Sequence, residues 1–271
     1  NRFKATFVPG SSMKPITAAI GLDSGAIDPD QDLKAQDKWQ KDSSWGNYYV
    51  TTLHAPTPND LKNALIYSDN VYFAKAATNI GKEDLIDGYQ KLKIGSKIPF
   101  ELSLNKSQYQ NDGSDFNDQQ LADSGYGQGQ LLMNPVQMTA IYSAFVNEGS
   151  IKQPYLLLDE KPDDDWIKNA FSKETANMIK DDLIEVISDS NGTGHSIYHQ
   201  NVELAGKTGT AEIKASQSDT TGKEIGWFAV MTTNSDNPIL IVTAVEDVKD
   251  RGGSGYVVEH TKAPLDSYLN K

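Results

Sequence analysis

Along the first two-thirds of the chain, apolar residues recur three and four positions apart. Along the last quarter they alternate or run together. Ile16, Ala19 and Ile20 follow the turn signal Pro9-Gly10 and predict a buried helix closed by Gly25. Leu61, Ala64 and Leu65 continue the helical pattern from Asp60, as do Val71, Phe73, Ala74 and Ala77, and the amphipathic stretch Asp84 to Leu92. Asn134-Pro135 reads as a helix start with proline in the first turn, leading into Met138, Ile141, Tyr142 and Phe145. Ser172 is a candidate cap for the helix carrying Ala176, Ile179, Leu183, Val186 and Ile187. Residues 27–60 and 94–120 are polar and weakly patterned, which predicts loops. Val202–Ala205, Gly226–Met231 and Ile239–Val245 are short β-rich runs separated by Gly, Asn-Pro and Asp clusters, and Val257 to Leu269 returns to helix. The expected class is α+β, with an antiparallel meander near the C-terminus.

Composition narrows the function more than the fold. A chain of 271 residues, 38% hydrophobic and 23% charged, has ample material for a core. With 37 acidic against 25 basic residues its formal charge is −12, which argues against nucleic acid and anionic membrane surfaces as partners. The absence of cysteine removes disulfides, thiolate nucleophiles and cysteine–zinc sites. No apolar run reaches the length of a membrane span, and Asn1-Arg2-Phe3-Lys4 resembles neither a signal peptide nor a natural start. The sequence reads as an excised fragment.

Three short motifs carry the candidate chemistry: Ser11-Ser12-Met13-Lys14, Ser68-Asp69-Asn70 and Lys207-Thr208-Gly209-Thr210. Each is weak alone, but their order and settings are hard to reach by chance. A serine hydroxyl needs a base within hydrogen-bond reach, and Lys14, three residues on, projects from the same helical face as Ser11. Lysine serves as that base when burial and a second ammonium, here Lys207, depress its pKa. Ser68 could relay a proton, and Asn70 could hold Lys14 and a substrate amide. Asp69 alternates away and reads as structural. Thr208 and Thr210 offer hydroxyls to a terminal carboxylate and Lys207 offers charge. Gly209 leaves the strand bare for a substrate backbone. The N–H groups of Ser11 and Thr210 form the expected oxyanion hole.

Other signals are weaker. Gly206-Lys207-Thr208 lacks the earlier glycine of a phosphate loop, because position 201 is asparagine. His195 and His199 lack the glutamate of a helical zinc motif, and the Gly-Thr-Gly before them reads as a turn. Gly125 to Gly129 lacks dinucleotide-loop spacing, and Asp163-Asp164-Asp165 reads as a solvated loop. No metal or cofactor is called for. Glu101-Leu102-Ser103-Leu104-Asn105 matches the deacylating Glu-x-x-Leu-Asn of class A β-lactamases.

With these residues placed, the chain resembles the transpeptidase domain of class B penicillin-binding proteins, more narrowly the low-affinity, β-lactam-resistance type of Gram-positive bacteria. The likeness rests on Phe7 to Pro15, on Trp39-Gln40-Lys41-Asp42 with Ser44-Trp45-Gly46 and Tyr48, on Leu121 to Gln130 with Asn134-Pro135-Val136-Gln137, and on Gly226-Trp227-Phe228. The resemblance implies the fold shared with serine β-lactamases, an antiparallel sheet flanked by helices plus a mostly helical lobe. It divides a single domain, 1–271, into a mainly helical lobe (26–195) and a sheet lobe with the nucleophile helix (1–25 and 200–271). It implies that Ser11 is acylated by the penultimate D-alanine of a peptidoglycan stem peptide, or covalently by a β-lactam. Tyr48 would gate the groove and Glu212 would line its far end. It also weakens the β-lactamase reading, because 137 residues separate Asn70 from Lys207 and residues 121–137 fill that interval with the transpeptidase pattern.

Further expectations follow from the resemblance: cell-wall or division machinery as partners, and a membrane-anchored full-length protein at the extracytoplasmic face. Strands that family members carry before the nucleophile would be missing, supplied by another polypeptide if at all. A D,D-carboxypeptidase and a non-catalytic β-lactam sensor stand as competing functions.

Overall fold

The computed structural model describes residues 2–213, 221–234 and 236–270. A 3₁₀ turn, Gly10–Met13, runs directly into α1 (Lys14–Asp23), with Pro15 in its first turn. The helix is buried on nearly every side, Ile16, Ala18 and Ala19 being fully covered. It ends where expected, with Gly25 in the left-handed region at φ 73°. The following loop holds a small antiparallel hairpin, β1 (Lys38–Trp39) with β2 (Val50–Thr51).

Two side-chain caps then start helices in quick succession. Asp60 accepts the N–H of Asn63 at the head of α2 (Leu61–Ile66). Asp69 accepts those of Val71 and Tyr72 at the head of α3 (Asn70–Ile80). Next comes α4 (Lys82–Lys91), and then α5 (Asp118–Gly125). The latter extends helix into the margin of a stretch expected to be loop. Its pattern is faint because it buries polar Gln120 and Ser124 beside Leu121 and Ala122. Next come α6 (Pro135–Ser143), capped by Asn134, and the hairpin β3 (Ile151–Lys152) with β4 (Asp165–Ile167). After them α7 (Lys173–Ser188) is capped by Ser172, as the sequence predicts.

The C-terminal quarter is the anticipated meander. β5 (Leu204–Ile213), β6 (Lys223–Thr232) and β7 (Leu240–Glu246) pair antiparallel in that order, and α8 (Ser254–Leu269) closes the chain. The first strand is longer than its apolar run, taking in the whole Lys-Thr-Gly segment. β6 explains its unbroken apolar run by being buried on both faces. Trp227, Ala229 and Met231 face the main core with α1, α3, α6 and α7. Phe228 and Val230 face Val257, Val258 and Leu265 of α8. Each fully buried Val, Leu, Phe or Met among them contributes roughly 1.5–3 kcal/mol of hydrophobic stabilisation. The indole of Trp227 donates to the Val8 carbonyl (2.9 Å), fastening the segment before the nucleophile turn to the sheet.

Candidate active site

The three motifs, far apart in sequence, meet where α1, the α2–α3 junction and β5 converge. Ser11 lies half-buried within the 3₁₀ turn, not inside the α-helix, and Lys14 opens α1 three residues on. That turn packs hard against the strand. A Cβ on Gly10 (φ 55°) would stand 2.5 Å from the Thr210 carbonyl oxygen. One on Gly209 would stand 2.8 Å from the Ser12 amide and 3.0 Å from the Pro9 carbonyl. Gly209 is thus bare because the nucleophile turn occupies the space of a side chain, a reason the sequence does not show. Gly127 braces the other side, accepting the Gly10 N–H at 2.9 Å.

Ser68 carries the second motif into the cluster. It sits between α2 and α3 at φ 58°, an uncommon conformation for a residue with a side chain. Held there, its carbonyl accepts from Lys14 Nζ (2.5 Å) while its Oγ accepts from both Lys14 (3.2 Å) and Lys207 (2.9 Å). Asn70 Oδ1 accepts a third Lys14 bond (2.7 Å), and Asn70 Nδ2 donates to the Thr51 carbonyl (3.1 Å). Asp69 faces away, as expected. Fully buried, it caps α3 and accepts from Asn59 Nδ2 at 2.9 Å.

Both lysines are fully buried, and this sets their chemistry. Burial, then the neighbouring Lys207 charge, drive the Lys14 ammonium well below its ordinary range, with Asp69 opposing in part. Burial alone pushes Lys207 down to about 7. Two ammonium groups bridged by one hydroxyl in a dry site cannot comfortably both be charged, so the pair holds one charge more readily than two. One amine of the pair is thereby available as a base, and the other can keep its charge.

Residues 1–265 match the family described as penicillin binding protein transpeptidase domain. The chain belongs to that family. It is 40% identical over 269 residues to penicillin-binding protein 3 of Bacillus subtilis, covering 98% of this chain and 40% of that protein. It is 24% identical over 300 residues to the peptidoglycan D,D-transpeptidase MrdA of Haemophilus influenzae, covering 99% and 45%. The chain therefore spans less than half the length of these relatives. Its fold is also that of the D,D-transpeptidase domain of the Eggerthella lenta peptidoglycan glycosyltransferase: TM-score 0.79 at 22% identity, with 98% of this chain and 66% of that one covered.

The remaining expected residues of this penicillin-binding-protein domain flank the cluster. Tyr48 is half-buried in the loop bearing β1 and β2, with Trp45 edge-on at 5.8 Å. Its hydroxyl donates to Asp123 of α5, which also accepts from Tyr126 (2.6 Å). Thr208 and Thr210 lie along β5, and Glu212 follows on an exposed stretch opposite Glu224. Glu101 is exposed and accepts the N–H groups of Leu156 (2.8 Å) and Leu157 (3.4 Å), bonds that hold its carboxyl below the usual range. Its carboxylate thus serves the loop of Leu156. His195 shares a 3.0 Å hydrogen bond with the Ile187 carbonyl and stacks on Tyr198.

One residue at the site has no counterpart in the motif reading. Thr208 Oγ1 donates to Thr193 Oγ1 at 2.7 Å. The only sequence signal for Thr193 was its place inside a Gly-Thr-Gly turn.

Proposed function

We propose that this domain is a peptidoglycan D,D-transpeptidase of the serine acyl-transfer type, acylated at Ser11. The observation that supports it most is the Lys14–Ser68–Lys207 bridge beside the Gly10–Ser11 turn. Neutral Lys14 takes the Ser11 proton as Oγ attacks the carbonyl of the penultimate D-alanine. The Ser11 and Thr210 N–H groups receive the developing oxyanion. The proton passes from Lys14 through Ser68 Oγ to the departing nitrogen, the carbon–nitrogen bond breaks, and terminal D-alanine leaves. An amine from a second strand then attacks the ester carbonyl, its proton passes through the lysine pair to Ser11 Oγ as the carbon–oxygen bond breaks, and Ser11 is freed with the cross-link formed. Asn70 holds Lys14 by one end and the Thr51 carbonyl by the other, and retains a second amide proton for the donor peptide. Lys207, Thr208 and Thr210 hold the donor carboxylate, with Tyr48 and Glu212 at the two ends of the groove.

A β-lactam meets the same machinery, but its nitrogen stays tethered after ring opening, so the ester persists. The same reading divides the chain into a helical lobe, 26–195, and a sheet lobe, 1–25 with 200–271. It places the full-length protein, membrane-anchored, at the extracytoplasmic face with the cell-wall machinery. Among the described residues no helix is long and apolar enough to cross a membrane. The likeness of Phe7–Pro15 and of the Tyr48 loop to low-affinity family members supports slow acylation by β-lactams.

The test is intact mass against time after mixing with benzylpenicillin, alongside Ser11→Ala. A single persistent adduct on the unsubstituted protein, absent from the variant, is expected. Rapid loss of penicillin without a lasting adduct would show a hydrolase instead.

A further inference from the structure

Asn70, which steadies Lys14, is itself held by the β1–β2 hairpin. It donates through Nδ2 to the Thr51 carbonyl (3.1 Å) and through its backbone N–H to Thr52 Oγ1 (3.3 Å). With the amide nitrogen engaged there, Oδ1 faces the Lys14 ammonium at 2.7 Å. A reversed amide would set N–H groups against the ammonium and its oxygen against the Thr51 carbonyl. The place of β2 therefore decides which way Asn70 points. Two strands of two residues each do not hold a position by themselves. The Lys41–Asp118 ion pair (2.7 Å) on the same loop is exposed, and such pairs hold little. Tyr48, three residues before Thr51, is fastened better. Its ring packs on a small apolar cluster that includes Trp45, Val50, Val71 and Ala122, and its hydroxyl donates to Asp123 Oδ1. The same oxygen accepts from Tyr126 at 2.6 Å, so its two lone pairs tie the hairpin to the end of α5 at one point. α5 in turn presses on α3, the helix that Asn70 begins: a Cβ on Gly125 would stand 2.2 Å from the Phe73 carbonyl oxygen.

We propose that Asp123 is a positioning residue for acylation: by fastening Tyr48 it keeps β2 where the Thr51 carbonyl turns Asn70 Oδ1 toward Lys14. This rests on the transpeptidase reading, in which Lys14 supplies the base. The path is short, from the Asp123 carboxylate to the Tyr48 hydroxyl, three residues along the chain to Thr51, and across one hydrogen bond to Asn70. Its effect on Lys14 has a definite sign. An oxygen that accepts from the ammonium favours the charged form of the lysine. Once the hairpin loosens, Asn70 swings and that bond weakens. Lys14 then loses its proton at lower pH, and its nitrogen is no longer held in place beside Ser11. A carboxylate that merely stabilised the fold would leave the titration of Lys14 where it was.

The experiment measures benzylpenicillin acylation of the 271-residue chain by intact mass, between roughly pH 5 and 9. It compares the unsubstituted protein with Asp123→Leu, Asp123→Asn, Tyr48→Phe and the double variant Asp123→Leu with Tyr48→Phe. Asp123→Leu should lower the maximal rate about 3- to 10-fold and move the rising limb of the profile to lower pH by roughly half a unit or more. Tyr48→Phe should move the limb the same way, and the double variant should be no slower than Asp123→Leu, because both changes break one bond. Asp123→Asn keeps an acceptor for the phenols and should recover most of the rate and the position of the limb. Slowing with an unmoved limb would show a merely structural carboxylate and overturn the proposal, as would no slowing, or additive slowing in the double variant. Should Asp123→Leu fail to fold, Tyr48→Phe, which loses a single oxygen, decides by the same limb. An unsubstituted protein that is not acylated at all would sink the transpeptidase reading and this proposal with it, a failure separable from that of Asp123.

Discussion

Lys14 and Lys207 share one buried, mutually repelling site, and their places in it suggest different roles. Both are desolvated and each repels the other's charge, so both ammonium groups lie below their ordinary range. Lys207 keeps its charge below about 7, and on the transpeptidase reading Lys14 supplies the base. Acylation by a carboxylate-bearing penicillin, followed as a second-order rate, should rise with pH through the titration of Lys14. It should then fall above about 7 as the Lys207 cation is lost. An uncharged donor such as the methyl ester should keep the rising limb and lose the falling one. Stopped-flow or mass-resolved rates between roughly pH 5 and 9 check this. A flat profile for both donors would remove Lys14 as the base.

At the scale of the elements, the α2–α3 junction holds the second motif through a residue that does no chemistry. Asp69 caps α3, bonds Asn59, and fixes Ser68 and Asn70 on either side of it. Asp69→Ala should cost about 1–3 kcal/mol, read by urea unfolding, because it removes a cap and strands a buried amide. It should slow acylation as well. Asp69→Asn keeps an acceptor for the helix N–H groups and should recover most of the stability. The brace on the nucleophile turn makes a sharper case. A Cβ at Gly127, already at φ 81°, would lie 1.9 Å from the Gly10 carbonyl oxygen. Gly127→Ala should therefore push the turn off its seat and lower acylation by at least tenfold. Gly25→Ala, at φ 73° but with open space around it, should leave the rate unchanged. These two junctions also mark the limit of what the chain alone reveals. The helix starts at Asn134-Pro135 and Ser172 and the three motifs were legible because caps, periodicity and spacing are local properties. The parts played by Thr193, Gly127 and Asp123 were not, because each acts through a partner brought close only by folding. α5 was faint for a related reason, its inner face being partly polar.

Over the whole molecule, the active site is assembled at a cost to the fold, and one group shows its sign. Lys207 titrates at about 7 when folded and near 10.4 when unfolded. Between these values the unfolded chain binds the extra proton, so stability rises with pH across that window. Below about 7 both states are protonated and the penalty is at its full size, on the order of 5 kcal/mol. Asp182 of α7 behaves in the mirror sense. Burial, with Asp60, Asp181 and Glu185 nearby and only Lys62 opposing, raises it to about 7. Its penalty is absent at pH values below the ordinary carboxylate range, grows up to about 7 and is constant above. The two substitutions therefore separate cleanly by pH and by function. Lys207→Met, close in length and apolar, should stabilise most below about 7, progressively less towards pH 10, and abolish acylation. Asp182→Asn should stabilise by about 1–2 kcal/mol, discounted for partial exposure, at neutral pH, and by almost nothing near pH 4. Because Asp182 lies outside the lysine cluster, acylation by benzylpenicillin should not change. Denaturant unfolding at pH 4, 6, 8 and 10, paired with acylation rates, reads all of these at once. A Lys207→Met protein no more stable than the parent at pH 6 would mean that the buried ammonium costs the fold nothing. The catalytic poise of the lysine pair would then need another source than desolvation.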